Sequence, residues 1–146
     1  MEPAKPPPHG APQTDDPVWR GLDHVQIAIP VGAEEHARAF YVGVLGMAEI
    51  PKPPLLAARG GAWFQAGPIE IHVGVEADFV PARKAHPGLL VDGLVGFVER
   101  AGLDVRWSDE IPGLDRCHLD DPFGNRIELI ESRRRYDADA AERHDP

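Results

Sequence analysis

The 146 residues, 42% hydrophobic and 27% charged, are enough for one soluble domain with a real core. A formal net charge of −9 argues against nucleic acid or an anionic membrane as partner, and no apolar run approaches transmembrane length. The single cysteine, Cys117, excludes an internal disulfide framework and fits a reducing compartment, so a cytoplasmic protein is expected.

Residues 1–18 carry Pro at 3, 6, 7, 8, 12 and 17 without an apolar core, which predicts a disordered arm and not a secretory signal. A domain follows over 19–132, and the charged, aperiodic stretch 133–146 predicts a frayed tail. The first strand spans Leu22 to Ile29, with Val25, Ile27 and Ile29 on one face and His24, Gln26 and Ala28 on the other. Glu34 and Glu35 suit the first turn of a helix whose Ala37, Phe40, Tyr41, Val44 and Leu45 repeat at helical spacing, and Gly46 stops it. Short strands are predicted at Met47 to Ile50 and Ala62 to Gln65. A longer one runs from Pro68 to Val75, with Ile69, Ile71, Val73 and Val75 opposite Glu70 and His72.

The pattern then repeats. His86 to Val91 is strand-like, Asp92 is placed to cap a helix carrying Leu94, Phe97, Val98 and Ala101, and Gly102 closes it. Strands follow at Val105 to Trp107, Arg116 to Asp120 and Ile127 to Glu131. The last is entered through Asp121-Pro122-Phe123-Gly124-Asn125, a turn with Pro preset and Gly124 free for the left-handed position. The fold class is α+β, with two βαβββ modules, 22–75 and 86–131.

The repeat extends to the polar residues. His24 and His86 open the two modules, and Glu70 and Glu128 lie on their last strands. A strand carboxylate between apolar neighbours costs several kcal/mol unless paired or coordinated. Two imidazoles and two carboxylates suit a borderline divalent ion such as Zn, Ni, Co, Mn or Fe. Read one at a time, each residue has a plainer account: a His satisfied in the core or a Glu paired with Arg116 or Arg126. His72 lies two residues from Glu70 on the same face and competes with it as ligand, the repeat favouring Glu70. Gln26 and His118 are additional pocket candidates. Trp63, Phe64 and Trp107 suit either a pocket wall or core, Arg83 and Lys84 an anion contact or a solvated loop, and Cys117 an inert packed thiol.

The segments Leu22-Asp23-His24-Val25-Gln26-Ile27-Ala28-Ile29, Ala39-Phe40-Tyr41 with Leu45-Gly46-Met47, and Asp121-Pro122-Phe123-Gly124-Asn125-Arg126-Ile127-Glu128 resemble the vicinal oxygen chelate superfamily. That superfamily includes glyoxalase I, fosfomycin-modifying thiol transferases, extradiol dioxygenases, methylmalonyl-CoA epimerase and the bleomycin-resistance proteins. The resemblance implies paired βαβββ modules curled round a metal, often with the site completed by a second subunit, hence a homodimer. Carried over, the metal ligands are His24, Glu70, His86 and Glu128, with Glu128 by preference, or Glu70, moving a proton. The activity implied is that of a glyoxalase-like, metal-dependent lyase or isomerase, working through a metal-stabilised enediolate on a small oxygenated substrate. An Fe(II) dioxygenase is the alternative enzyme, and a metal-free drug-binding or resistance protein the alternative outside catalysis. A thiol transferase lacks a visible cation-binding loop or thiol-recognition motif.

Overall fold

In the computed structural model, residues 17–132 are described, so most of the Pro-rich arm and all of the tail 133–146 lie outside the described residues. The first module runs β1 (Val25–Ile29), α1 (Glu34–Tyr41), β2 (Ala48–Ile50), α2 (Pro54–Ala57), β3 (Ala62–Ala66), β4 (Ile69–Val75). The second runs β5 (Gly88–Leu90), α3 (Leu94–Ala101), β6 (Arg106–Ser108), β7 (Leu114–Asp120), β8 (Arg126–Ser132). Each module forms its own four-stranded mixed sheet, ordered β1-β4-β3-β2 and β5-β8-β7-β6, so the α+β double module expected from the sequence is the observed fold. β1 and β5 are edge strands, each paired in parallel on one side only. Among the described residues no helix is long and apolar enough to cross a membrane.

Alternation along the strands sends Ile27, Ile29, Phe64, Ile71 and Val73 of the first sheet, and Leu89, Cys117, Leu119, Ile127 and Leu129 of the second, into one buried cluster. Helix α1 closes it with Ala37, Phe40 and Tyr41, and α3 with Leu94 and Val98. Each such aliphatic side chain contributes roughly 1.5–3 kcal/mol by leaving water. The opposite sheet faces are left for polar side chains.

The turn after β7 ties the modules together. Gly124 takes φ 89°, as its position demanded, and its N–H donates to Asp121 O. Asp121 Oδ1 accepts from the backbone N–H groups of Phe123 and Asn125, both at 2.9 Å. Its other oxygen accepts from Tyr41 Oη, 2.9 Å away in the first module. Burial and the Asp121 charge push the Tyr41 phenol well above its ordinary range, so the hydroxyl stays a donor. Asn125 is fully buried. Its Nδ2 donates to Ala28 O of β1 and its Oδ1 accepts from Ala82 N–H.

Several local expectations are corrected. Helix α1 ends at Tyr41 and not Leu45, because the chain loosens into turns in which Leu45 N–H reaches back to Phe40 O. Gly43 sits so close to Ala39 O that a Cβ there would approach within 2.4 Å. Pro51, Pro53 and Pro54 do not merely end a strand: Pro54 starts the short helix α2, its missing N–H costing nothing at that position. Asp92 does not cap α3. Gly93 is the N-cap residue, and Glu131 of β8 accepts from Gly93 N–H and Leu94 N–H, both at 2.8 Å.

Candidate metal centre

The strand registers decide which side chains are neighbours. On the first sheet Gln26 lies beside His72 and His72 beside Trp63, so all three stand on the open face, with His24 just ahead of β1. On the second, Gly88 lies beside Glu128 and Glu128 beside His118, with His86 just ahead of β5. Superposing the ladders therefore puts His72, not Glu70, in the place of Glu128, and Trp63 in the place of His118. The repeat read from the sequence is two residues out at Glu70, a shift that keeps the same face and so leaves no trace in the alternation.

The second sheet gathers a tight polar group. His86 Nε2 is 3.0 Å from Glu128 Oε2. His86 Nδ1 is 2.8 Å from Lys84 O, and since a carbonyl only accepts, Nδ1 carries the proton there. Nε2 and the carboxylate oxygen are then two electron-pair donors facing each other, which only a proton or a metal ion between them reconciles. The backbone contact at the far ring nitrogen is the usual support for an imidazole ligand. Glu128 Oε1 accepts from Arg116 Nη1 at 3.2 Å, and Arg116 Nη2 also reaches Glu110 and Ser108 Oγ. Burial works against the Glu128 charge, but the contact with the His86 ring and the hydrogen bond and charge of Arg116 outweigh it and hold the carboxyl below its ordinary range. His118 Nε2 lies 3.8 Å from Glu128 Oε2, and burial pushes this imidazole towards its neutral form. Donor atoms of His86, His118 and Glu128 all lie within 4.8 Å of one another, and no other such group forms among the described residues.

The first sheet holds the remaining candidates. His24 Nδ1 is 2.7 Å from Asp23 Oδ1, which fixes the proton on Nδ1 and leaves Nε2 available. His72 is sandwiched, its ring stacked 4.0 Å from His24 on one side and 4.0 Å from Trp63 on the other, and its Nε2 is 2.8 Å from Glu70 Oε1. His72 thus spends a ring nitrogen on Glu70, which leaves the half-buried Glu70 carboxylate as the more accessible donor of the pair. Gln26 lies over Gly74, where a Cβ would come within 2.0 Å of its Nε2. Together these residues line a cavity of about 530 Å³, bounded also by Lys52 and Arg59.

Within one chain, then, His86 and Glu128 are together and His24 and Glu70 face a common cavity; among the described residues the donors of the two pairs form no single cluster, although His24, Glu70 and His86 also line one mostly apolar cleft. This second cleft, of about 1120 Å³, separates the β1 and β5 edges and is lined by Leu22, Val25, Ile69, Leu89 and Leu129 among others. The chain is similar, at 48% identity, to a glyoxalase family protein from Bacillus anthracis, over 80% of this chain and 98% of that one with a TM-score of 0.77.

The chain belongs to the glyoxalase family.

The superfamily suggested by the sequence is therefore the right one, and the two-sheet architecture is that of the family. More distant structures share the fold. The fosfomycin resistance protein FosX from Mesorhizobium loti is 16% identical over 79% of this chain and 94% of that one, with a TM-score of 0.56. A glyoxalase family protein from Enterococcus faecalis is 16% identical over 77% and 98%, with a TM-score of 0.58. No family model and no curated protein matches the sequence.

For this glyoxalase-family chain, the residues given two accounts divide between them. Phe64 is core, Trp107 is half-exposed, and Trp63 is a cavity wall. Cys117 is fully buried on the core face, and burial with the nearby Glu128 charge pushes its thiol up. Arg83 is exposed, and the part Lys84 plays here is through its carbonyl. Arg116 was visible in the sequence only as a generic partner for a glutamate. Its link from Glu128 to the loop at 108–110 needed the register of β6, β7 and β8.

Proposed function

We propose that this protein is a metal-dependent lyase or isomerase of the glyoxalase type, acting on a small oxygenated substrate. The observation that carries the proposal is the His86 Nε2 to Glu128 Oε2 pair at 3.0 Å, with the far nitrogen of His86 already bound to Lys84 O. Two donors each ~2.1 Å from one ion and at right angles to it lie ~3.0 Å apart, so the pair has the bite of a metal site. His86 and Glu128 would hold the ion, joined by His24 and Glu70. When bound, the ion would supply Lewis acidity towards two adjacent substrate oxygens.

His24 and Glu70 reach it from a second subunit in this reading, which makes the protein a homodimer. Two features support that arrangement: β1 and β5 each offer an unpaired edge, and the cleft between them is apolar. Leu22, at its rim, is 78% exposed in the single chain. Pairing β1 of one copy with β5 of another would bring the open face of each first sheet opposite the open face of a second sheet.

In this reading Glu70, and not Glu128, is the proton carrier. Glu128 is anchored at both oxygens, by Arg116 and by His86, whereas among the described residues Glu70 is held at Oε1 alone, by His72, and its Oε2 has no partner. Glu70 Oε2 takes the substrate proton and returns it, and Glu128 stays fixed as a ligand. Gln26, whose side chain has no hydrogen bond among the described residues, orients the substrate beside Trp63. Metal content and equilibrium sedimentation of the purified protein, with Glu70→Gln and Glu128→Gln, test the reading. Glu128→Gln loses metal. Glu70→Gln keeps metal and dimer but no longer catalyses proton exchange with solvent on a bound α-hydroxy ketone. A metal-free wild-type monomer would refute the proposal.

A further inference from the structure

We propose that His118 is a metal donor in its own right, so that a single chain already presents three ligands on its second sheet. The inference rests on the metal-dependent reading above and adds a ligand that neither the repeat nor the family resemblance supplies. Donor atoms of His86, His118 and Glu128 all lie within 4.8 Å of one another, with His86 to Glu128 at 3.0 Å and His118 to Glu128 at 3.8 Å. Donors ~2.1 Å from a shared ion lie ~3.0 Å apart at right angles and ~3.4 Å apart in a tetrahedron, so the His86–Glu128 spacing already fits and the His118 ring has only to close in on that pair.

His118 is free to make that movement. Its side chain has no hydrogen bond among the described residues, and its one ion-pair partner there, Glu128, stands beyond hydrogen-bond length. The rings of His86 and His118 meet edge to face, at 75° with centroids 5.5 Å apart. On the first sheet, by contrast, His24 and His72 stack face to face, a packing arrangement. A role for His118 in the core is already taken: Cys117 and Leu119, on either side of it, are the buried residues of β7, and His118 remains 21% exposed on the open face. Two imidazoles and one carboxylate suit a borderline divalent ion and leave positions for water, substrate or a fourth side chain. Each subunit can therefore load its ion before its partner's residues arrive.

Cobalt(II) titration of the full-length protein, followed by visible absorption and calorimetry, tests the assignment in the wild type, His118→Gln, His24→Gln and Glu128→Gln. The expected result is an affinity at least about tenfold weaker in His118→Gln, with an altered ligand-field spectrum, since even residues behind the ligands commonly contribute that much. Metal-free melting of His118→Gln should match the wild type. If His118→Gln binds cobalt within about threefold of the wild type with the same spectrum while Glu128→Gln does not, His118 is no ligand and the metal reading stands. If the wild type binds no cobalt, both fall. A measurement free of variants is NMR of wild-type protein with labelled histidines and a spin-active cadmium isotope. Coupling of the metal to a His118 ring nitrogen is expected, and coupling to His86 without His118 would overturn the assignment.

Discussion

Asn125 is where the turn of the second module holds the first, and its replacement by alanine isolates that tie. Three side-chain hydrogen bonds are lost: Nδ2 to Ala28 O at 2.9 Å, Nδ2 to Asp121 Oδ2 at 2.8 Å, and Ala82 N–H to Oδ1 at 3.0 Å. Ala82 is exposed, so water replaces its partner at little cost. Ala28 O and Asp121 Oδ2 are less accessible, and a buried polar group that loses its partner costs about 1–3 kcal/mol. Asp121 keeps Tyr41 on the same oxygen and two backbone N–H groups on the other, which puts its share at the low end. The sum is about 2–4 kcal/mol, or a fall in melting temperature of roughly 8–16 °C for a domain of this size. Urea unfolding followed by circular dichroism, with metal removed, measures it directly. Asn125→Asp should be worse at neutral pH, because it sets a second carboxylate against Asp121, and should partly recover as the pH falls. A loss below about 1 kcal/mol for Asn125→Ala would show that the modules are held by apolar packing alone and that this network adds nothing.

Arg116→Met should leave the fold intact but weaken metal binding about 10–100-fold, because Glu128 loses the guanidinium that fixes Oε1; cobalt titration reads it, and an unchanged affinity would remove Arg116 from the site. Tyr41→Phe should destabilise by about 1–2 kcal/mol in chemical unfolding, since only one of four donors to the buried Asp121 disappears. Glu34 accepts from Gly61 N–H at 3.0 Å, and that bond first of all lowers its pKa. A carboxyl whose folded pKa is depressed stabilises the fold above its unfolded pKa of about 4.3 and loses that contribution as the pH falls through the folded value. The stability gap between wild type and Glu34→Gln should therefore be constant near neutrality and narrow in acid; a gap independent of pH would contradict the assignment. Gly61→Ala should be far more damaging than Glu34→Gln in the same assay, because at φ 79° its Cβ would come within 2.2 Å of Val73 O.

The sequence by itself determined the class of fold, the double module and the family, because these rest on periodicities and turn residues that act locally. Ile27 and Ile29, or Ile71 and Val73, have only one face to give to a core, and the Pro122–Gly124 turn has few conformations open to it. It also named the residues of the candidate site, His24, Glu70, His86, Glu128, His72, Gln26 and His118, since polar side chains amid strand hydrophobics demand partners. Which of them meet was decided in three dimensions. A shift of two residues between the strands of a repeat leaves every side chain on its own face, so alternation could not distinguish Glu70 from His72 as the counterpart of Glu128. The capping of α3 by Glu131 instead of Asp92 has the same origin, a strand end delivered from far along the chain. The division of the candidate ligands between two open sheets, with His118 drawn to His86 and Glu128, follows from how two edge strands are placed, and that is a property of the packed molecule and not of any segment of it.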